Sequence, residues 1–272
     1  MYQYIQQVSN TTAALPTDRW QLSTTYIKPQ IADQISTGYF LNLMANMFEA
    51  SVELYYKDIQ NAADYKDGVN LLLNPIPETA ILQGKGRAYG IEFFIRKNKG
   101  KFTGWTSYTY SQTHLKIDGD FQEEKINNGD WYPANYNKPH MINLVLTYRP
   151  NQRINYSANF TYSTGRPATY PEDKYLVGGV YVPNYVGRNS TKIPDYHRLD
   201  LSMTVNEKPF TTRKWKSSWV FSIYNVYARE NAYSIFFKTK NNNSALYLKK
   251  ANAYKLSVFG TIFPSITYNF RF

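Results

Sequence analysis

The chain contains no cysteine, which removes disulfides, thiolate nucleophiles and cysteine-bound metals together. Histidine is scarce: His114, His140 and His197 are the only three. They are far apart and show no HExxH or other metal-ligand spacing, so neither a metal nor a cofactor is expected. No apolar run approaches the ~18 residues of a spanning helix. The start, Met1-Tyr2-Gln3-Tyr4-Ile5-Gln6, lacks the basic segment and apolar core of a secretory signal, so an exported protein beginning this way is expected to be a piece of a longer one. A phosphate loop is missing too. Gly84-Lys85-Gly86-Arg87 looks like one, but an alternating strand follows it instead of a helix, so no helix N-terminus is available for an anion.

What is present is aromatic and alternating. Tyrosine (26) and phenylalanine (15) are abundant, yet the hydrophobic fraction is only 43% and the mean hydropathy is -0.53. Those values are low for a helical membrane protein, but strands that alternate apolar and polar residues average their hydropathy away. The net charge of +11 comes from 31 Lys and Arg against 20 Asp and Glu, scattered along the chain. No nucleic-acid-binding motif accompanies it, so nucleic acid is not an expected partner. A solvated basic surface is the default reading and anionic lipid headgroups are the second.

The clearest alternation closes the chain, where Ile266, Tyr268, Phe270 and Phe272 oppose Ser265, Thr267, Asn269 and Arg271, the period of a strand with two unlike faces. Similar patterns occupy 35–43, 48–57, 87–97, 102–111, 141–149, 154–163, 198–205 and 215–227, the last led by Trp215 and Trp219. With a strand at 2–8 the expected number is about ten. In 154–163, for example, Ile154, Tyr156, Ala158, Phe160 and Tyr162 oppose Asn155, Ser157, Asn159, Thr161 and Ser163.

The connections alternate as well. Short links at 44–47, 98–101, 150–153 and 206–214 interleave with long ones at 9–31, 60–86, 112–139, 164–195 and 228–254. That rhythm predicts an up-and-down antiparallel sheet with turns on one rim and extended loops on the other. Strands of ~9–11 residues match a tilted crossing of the hydrocarbon layer. Tyr56, Tyr110, Tyr148, Tyr162, Trp215 and Tyr227 sit near strand ends, where an interfacial girdle belongs. Because lipid cannot satisfy backbone N–H and C=O groups, such a sheet must close, either as a small complete barrel or within a larger one.

Glu92, Arg96, Arg198 and Asp200 lie on the polar parity and are the candidate lumen-facing charges, lining a solute path, holding a plug, or pairing along a wet wall. The loops offer Trp131, Tyr132, Arg166 and Tyr170 as candidate ligand contacts. Flat amphipathic rings suit sugars, peptides or chelates, and they equally suit packing of loop on loop. Asp195 and His197 lack a nucleophile elbow or a fixed partner, so a hydrolase site is not expected.

Several stretches together resemble one family, the outer-membrane TonB-dependent receptors, in the C-terminal part of their barrel. They include Gln30-Ile31-Ala32-Asp33-Gln34, Glu53-Leu54-Tyr55-Tyr56-Lys57-Asp58, Gly86-Arg87-Ala88-Tyr89-Gly90-Ile91-Glu92 and Gly104-Trp105-Thr106-Ser107-Tyr108. Further on come Asn137-Lys138-Pro139-His140, Thr164-Gly165-Arg166-Pro167, Pro194-Asp195-Tyr196-His197-Arg198-Leu199-Asp200, Tyr224-Asn225-Val226-Tyr227 and the segment from Pro264 to Phe272. The resemblance spans essentially the whole chain. It implies an energy-coupled importer of a scarce solute, with a plug inside a barrel of about 22 strands, worked by the TonB system. It also implies that Phe272, with Phe270 and Tyr268, forms the signal read by the barrel-assembly machinery.

The expected fold is therefore all-β: part of an antiparallel transmembrane β-barrel, with short periplasmic turns and long extracellular loops, residing in the outer membrane of a Gram-negative bacterium. Residues 1–272 are expected to be the C-terminal portion of such a receptor, without plug or signal sequence, and with no enzymatic activity. The partners implied are outer-membrane lipid, the rest of the barrel and its plug, TonB through that plug, and the assembly machinery. Two other readings are a small self-contained outer-membrane barrel acting as a pore or hydrolase, and a soluble sugar-binding β-protein. Pairing of first strand to last would favour the small barrel.

Overall fold

The computed structural model describes residues 1–8, 19–69, 74–178, 180–207, 216–239 and 251–271. One antiparallel sheet organises them, a meander in which each strand pairs with its neighbours in sequence. We number its strands β1 (Tyr2–Gln3), β2 (Gln30–Leu43), β3 (Phe48–Tyr65), β4 (Ile81–Lys97), β5 (Phe102–Lys116), β6 (His140–Tyr148), β7 (Ile154–Ser163), β8 (Tyr196–Asn206), β9 (Lys216–Tyr224) and β10 (Phe263–Arg271). Tyr132–Pro133 adds a short segment beside the upper end of β5. Among the described residues no ladder joins β1 to β10, so the sheet is open at both edges.

The register carries the alternation from strand to strand. Phe102, Tyr148, Tyr156, Met203, Phe221 and Ile266 stand directly opposite one another in succession across β5 to β10. Farther along the same face, Tyr39, Val52, Phe93, Tyr108, Ile142 and Tyr162 do the same across β2 to β7. Many of these side chains are exposed, Phe93, Tyr156, Phe221 and Ile266 among them. Stacked pairs such as Phe102–Tyr148, with ring centroids 4.3 Å apart, reinforce the ladder on this face. The opposite face is polar, as in the row Thr147, Ser157, Ser202, Ser222 and Ser265. Monomeric water-soluble proteins rarely expose so broad an apolar face. The sheet matches the lipid-out, polar-in pattern of a membrane barrel.

Several elements depart from the sequence expectation. The strand expected at 2–8 is two: Tyr2–Gln3 pairs with β2, whereas Ile5–Val8 forms a hairpin with Arg19–Leu22. β3 and β4 run well past 57 and start well before 87, which shrinks the long link at 60–86 to 66–80. The parity is lost there because of a bulge between Gln60 and Ala62, at Asn61 with φ 56°. One extra residue shifts every later side chain to the other face. The loops also contain structure of their own, namely Pro167–Ala168 with Thr191–Lys192, Asp173–Val177 with Val180–Asn184, and Ala232–Thr239 with Ala251–Ser257. Parts of the links at 9–31, 206–214 and 228–254, with Trp215 and Phe272, lie outside the described residues.

Candidate functional site: the external rim and its loops

The long connections all leave from one rim of the sheet, and there the polar face changes character. Above the membrane band β3, β4 and β5 continue with Ile59, Ala62, Leu82 and Leu115, and Ile117, Ile126, Tyr132 and Ala134 from the next loop close over them. These residues share the parity of the polar face, so the loop core sits on the inner side of the rim. It lies over the polar face of β3 to β5.

Two loops are fastened to this core by one cation. Arg188, in the loop after β7, has a side chain only 4% exposed. Its Nη1 donates to Asp64 Oδ1 at 2.9 Å and its Nη2 to the Tyr65 carbonyl at 3.0 Å, with Asp67 as a second carboxylate partner. The guanidinium also lies over the Tyr65 ring, 4.0 Å from its centroid. Burial works against the charge on Arg188, but Asp64 and its other neighbours outweigh that and raise its pKa above the ordinary value. Asp64 accepts further bonds from the Tyr132 hydroxyl at 2.6 Å and the Tyr65 N–H at 2.8 Å. Burial pushes the Asp64 carboxyl upward while Arg188 draws it back. The backbone of Arg188 is held as well. Asn127 Oδ1 accepts its N–H at 2.7 Å, and Asn127 Nδ2 donates to its carbonyl at 3.1 Å.

A second network ties the tops of β7, β8 and β9 to the loops. Arg198 Nε donates to both oxygens of Asp200, at 3.0 and 2.9 Å, and its Nη1 donates to the hydroxyls of Tyr196 and Tyr224. Asp200 also accepts the Asn225 N–H at 2.9 Å. Asn225 is 1% exposed with φ 56°, and its Nδ2 donates to the carbonyls of Arg229 and Phe259 at 3.1 and 3.3 Å. Asp195 accepts the Gly165 N–H at 2.8 Å and the Tyr162 hydroxyl at 2.7 Å, and these two bonds hold its carboxyl below the usual range. Gly165 is required here, because a Cβ would lie 1.6 Å from the Ile193 carbonyl oxygen. His197 Nδ1 meets the Tyr227 hydroxyl at 2.7 Å. The Asp195 carboxylate thus engages Gly165 and Tyr162, and among the described residues no hydrogen bond joins it to His197.

The candidate residues fall into separate places. Glu92, Arg96, Arg198 and Asp200 all share the polar parity. Arg96 makes an exposed, long ion pair with Glu49 at 3.9 Å, Glu92 faces Glu53 across the ladder, and Arg198 and Asp200 bond each other. Tyr132 is 1% exposed, so its ring serves packing, one of the two roles open to it on sequence. Trp131 points the other way and covers Arg87, whose guanidinium carbon lies 4.3 Å from the ring centroid. Arg166 and Tyr170 stay close to each other beside the Ala232–Thr239 hairpin. Arg166 Nη2 donates to the Tyr233 carbonyl at 3.2 Å, and Tyr170 meets Phe237 edge-on at 5.5 Å. Tyr268 and Phe270 are exposed on the apolar face of β10. Arg188, the most buried cation of the rim, was not singled out by sequence. The partners of its guanidinium lie more than a hundred residues away, and no local pattern marks them.

Comparison with known proteins agrees with this architecture. Residues 2–226 match the family model for the TonB dependent receptor-like β-barrel. No curated protein sequence matches the chain. Among solved structures, the ferric-catecholate import receptor Fiu from E. coli K12 superposes with a TM-score of 0.56 at 16% identity, over 98% of this chain and 32% of that one. The FrpB iron transporter from Neisseria meningitidis gives 0.53 at 12%, over 92% and 32%. The ferripyoverdine receptor of the outer membrane of Pseudomonas aeruginosa gives 0.52 at 13%, over 76% and 25%. The chain thus spans a third or less of the length of these structures. With the family model covering most of its residues, and its sheet laid out apolar outward and polar inward, the chain belongs to the TonB-dependent receptor β-barrel family of the outer membrane.

Proposed function

We propose that the chain supplies wall and external loops to a TonB-coupled importer of a scarce solute, as the C-terminal portion of a larger barrel. The observation that carries this reading is the loop core formed by Ile126, Tyr132 and Ala134 on the inner side of the rim. A loop core folded over the polar face suits a solute that is captured and then released by an energised step, and suits free diffusion poorly. In this reading further strands continue from the open edges at β1 and β10, a plug fills the interior, and TonB acts through that plug. Arg166 and Tyr170 are the solute contacts, a cation beside an aromatic ring at the external face. Tyr268, Phe270 and Phe272 present the terminal strand to the assembly machinery. The self-contained pore or hydrolase is disfavoured by the open sheet and by an Asp195 carboxylate already engaged with Gly165 and Tyr162.

The test compares spent medium from three strains of the source organism: intact, deleted for the gene encoding this chain, and deleted for the TonB motor. Mass spectrometry is expected to find at least one solute whose removal from the medium is lost in both deletions. A solute lost only with the gene, and still taken up without the motor, would identify a passive pore and contradict the proposal.

A further inference from the structure

On the outer face, just above the apolar band, β4 and β5 carry a group of cations that the import reading does not use. Tyr56 and Tyr89 stand opposite each other as the upper aromatic belt. The next outward positions on β4 are Arg87 and then Lys85, opposite His114 and Lys116 on β5. At ~3.3 Å per residue on a strand tilted ~45°, Lys85 lies about 10 Å above the Tyr89 belt. That is the height of lipid headgroups. Lys116 and Lys125 both approach Asp118 at 3.3 Å, so four cations share the patch with Asp118 and with Asp58, which faces Arg87 across the ladder.

Arg87 is the telling member. It is half-buried, its guanidinium is fixed by the Trp131 ring, and among the described residues it makes no ion pair or hydrogen bond. Arg87 Nε and His114 Nδ1 are enclosed without a hydrogen-bond partner. Lys85 is exposed and likewise has no carboxylate within ion-pair distance among the described residues. A guanidinium held rigid on an aromatic face, two residues above the lipid belt and beside an unpaired ammonium, is arranged to receive an anionic oxygen from the side.

We propose that Lys85, Arg87 and Lys116 form a binding site for a phosphorylated lipid headgroup of the outer leaflet, with Trp131 orienting Arg87. The charge complementarity is to phosphate, and the position beside the apolar band selects a phosphate borne on a lipid. The proposal rests on the membrane orientation of the sheet and is independent of which solute is imported.

The full-length gene product is purified in detergent, as wild type and as the Lys85→Gln/Arg87→Gln/Lys116→Gln variant, and offered bis-phosphorylated lipid A, dephosphorylated lipid A or inorganic phosphate. Retained lipid is read by native mass spectrometry. Each near-surface cation changes attraction to an anionic lipid about fivefold, so the variant is expected to hold the phosphorylated lipid about 100-fold less well. Dephosphorylated lipid is expected to bind wild type and variant equally weakly. Equal retention of phosphorylated lipid by both proteins would overturn the proposal, as would inorganic phosphate binding as tightly as the lipid. Folding of the variant is checked by its heat-dependent gel mobility. If the triple variant fails to fold, Lys85→Gln alone replaces it: its side chain is exposed, a fivefold loss is expected, and no loss contradicts the site.

Discussion

Replacing Arg188 with methionine is expected to release the external loops from the wall. The change removes the cation between Asp64 and Asp67 and leaves the Asp64 carboxylate, whose side chain is 12% exposed, facing an apolar neighbour. Breaking one partner of a buried ion pair costs about 3–5 kcal/mol, because the remaining charge is stranded. The effect is local to the loops, so it is read best as local opening. Proteinase K digestion of the protein in proteoliposomes is expected to cut the 164–195 loop about 150- to 4000-fold faster in Arg188→Met, the factor set by that free energy. Adding Asp64→Asn removes the stranded charge and keeps an acceptor for the Tyr132 hydroxyl. The double variant is therefore expected to open less readily than Arg188→Met alone, with a coupling of about 1–3 kcal/mol. Cleavage of Arg188→Met within about threefold of wild type, which corresponds to under ~1 kcal/mol, would show that the clasp does not secure the loops.

The second large effect concerns the two faces of the wall. Leu144 lies at the centre of β6 (His140–Tyr148), between Thr106 and Phe160 on the apolar side, and the adjacent Asn143 faces the polar side between Ser107 and Thr161. A Leu144→Arg substitution places a guanidinium near the hydrocarbon midplane and is expected to destabilise the folded barrel by about 2–4 kcal/mol. Asn143→Arg meets a wet interior and is expected to cost less than ~1 kcal/mol. Urea unfolding in phospholipid vesicles, followed by tryptophan fluorescence, measures both. Similar losses for the two variants would mean that the sheet does not separate lipid from water in the way its register implies.

The wall was readable from sequence because every face-defining choice in it is local. In β7, alternate residues from Ile154 to Tyr162 are apolar and their neighbours are Asn, Ser or Thr, and the register merely extends that choice sideways. The closing segment was legible for the same reason. Above the membrane the logic changes. Past the bulge at Asn61, the inner face of β3 and β4 turns apolar under a loop, so the upper strands read as part of a long link. The short motifs behaved differently again. Thr164-Gly165-Arg166, Asp195 to Asp200 and Tyr224-Asn225 carry the family resemblance, and the structure gives their residues physical reasons. Gly165 has no room for a Cβ, Asp195 anchors the loop to Tyr162, and Asn225 adopts a positive φ while its side chain donates to the carbonyls of Arg229, Phe259 and Thr261. What stayed hidden was the partner of each long-range contact. The pairing of Arg188 with Asp64 joins residues 124 apart, and no periodicity encodes such a distance. The stacking of Trp131 on Arg87 was hidden for the same reason. It sets a ring that the sequence offered equally for ligand contact or loop packing against an outward-facing cation.

The absence of native cysteine in this chain makes the central claim directly measurable, since a single introduced cysteine is a unique label within it. Spin labels placed one at a time along β7, from Ile154 to Ser163, in the protein reconstituted in lipid, report collision with oxygen from the bilayer and with a water-soluble nickel chelate. The account predicts that labels at 154, 156, 158, 160 and 162 collide with oxygen, while those at 155, 157, 159, 161 and 163 collide with the chelate, in strict alternation. A profile without that two-residue period, or one with the two sets exchanged, would contradict it.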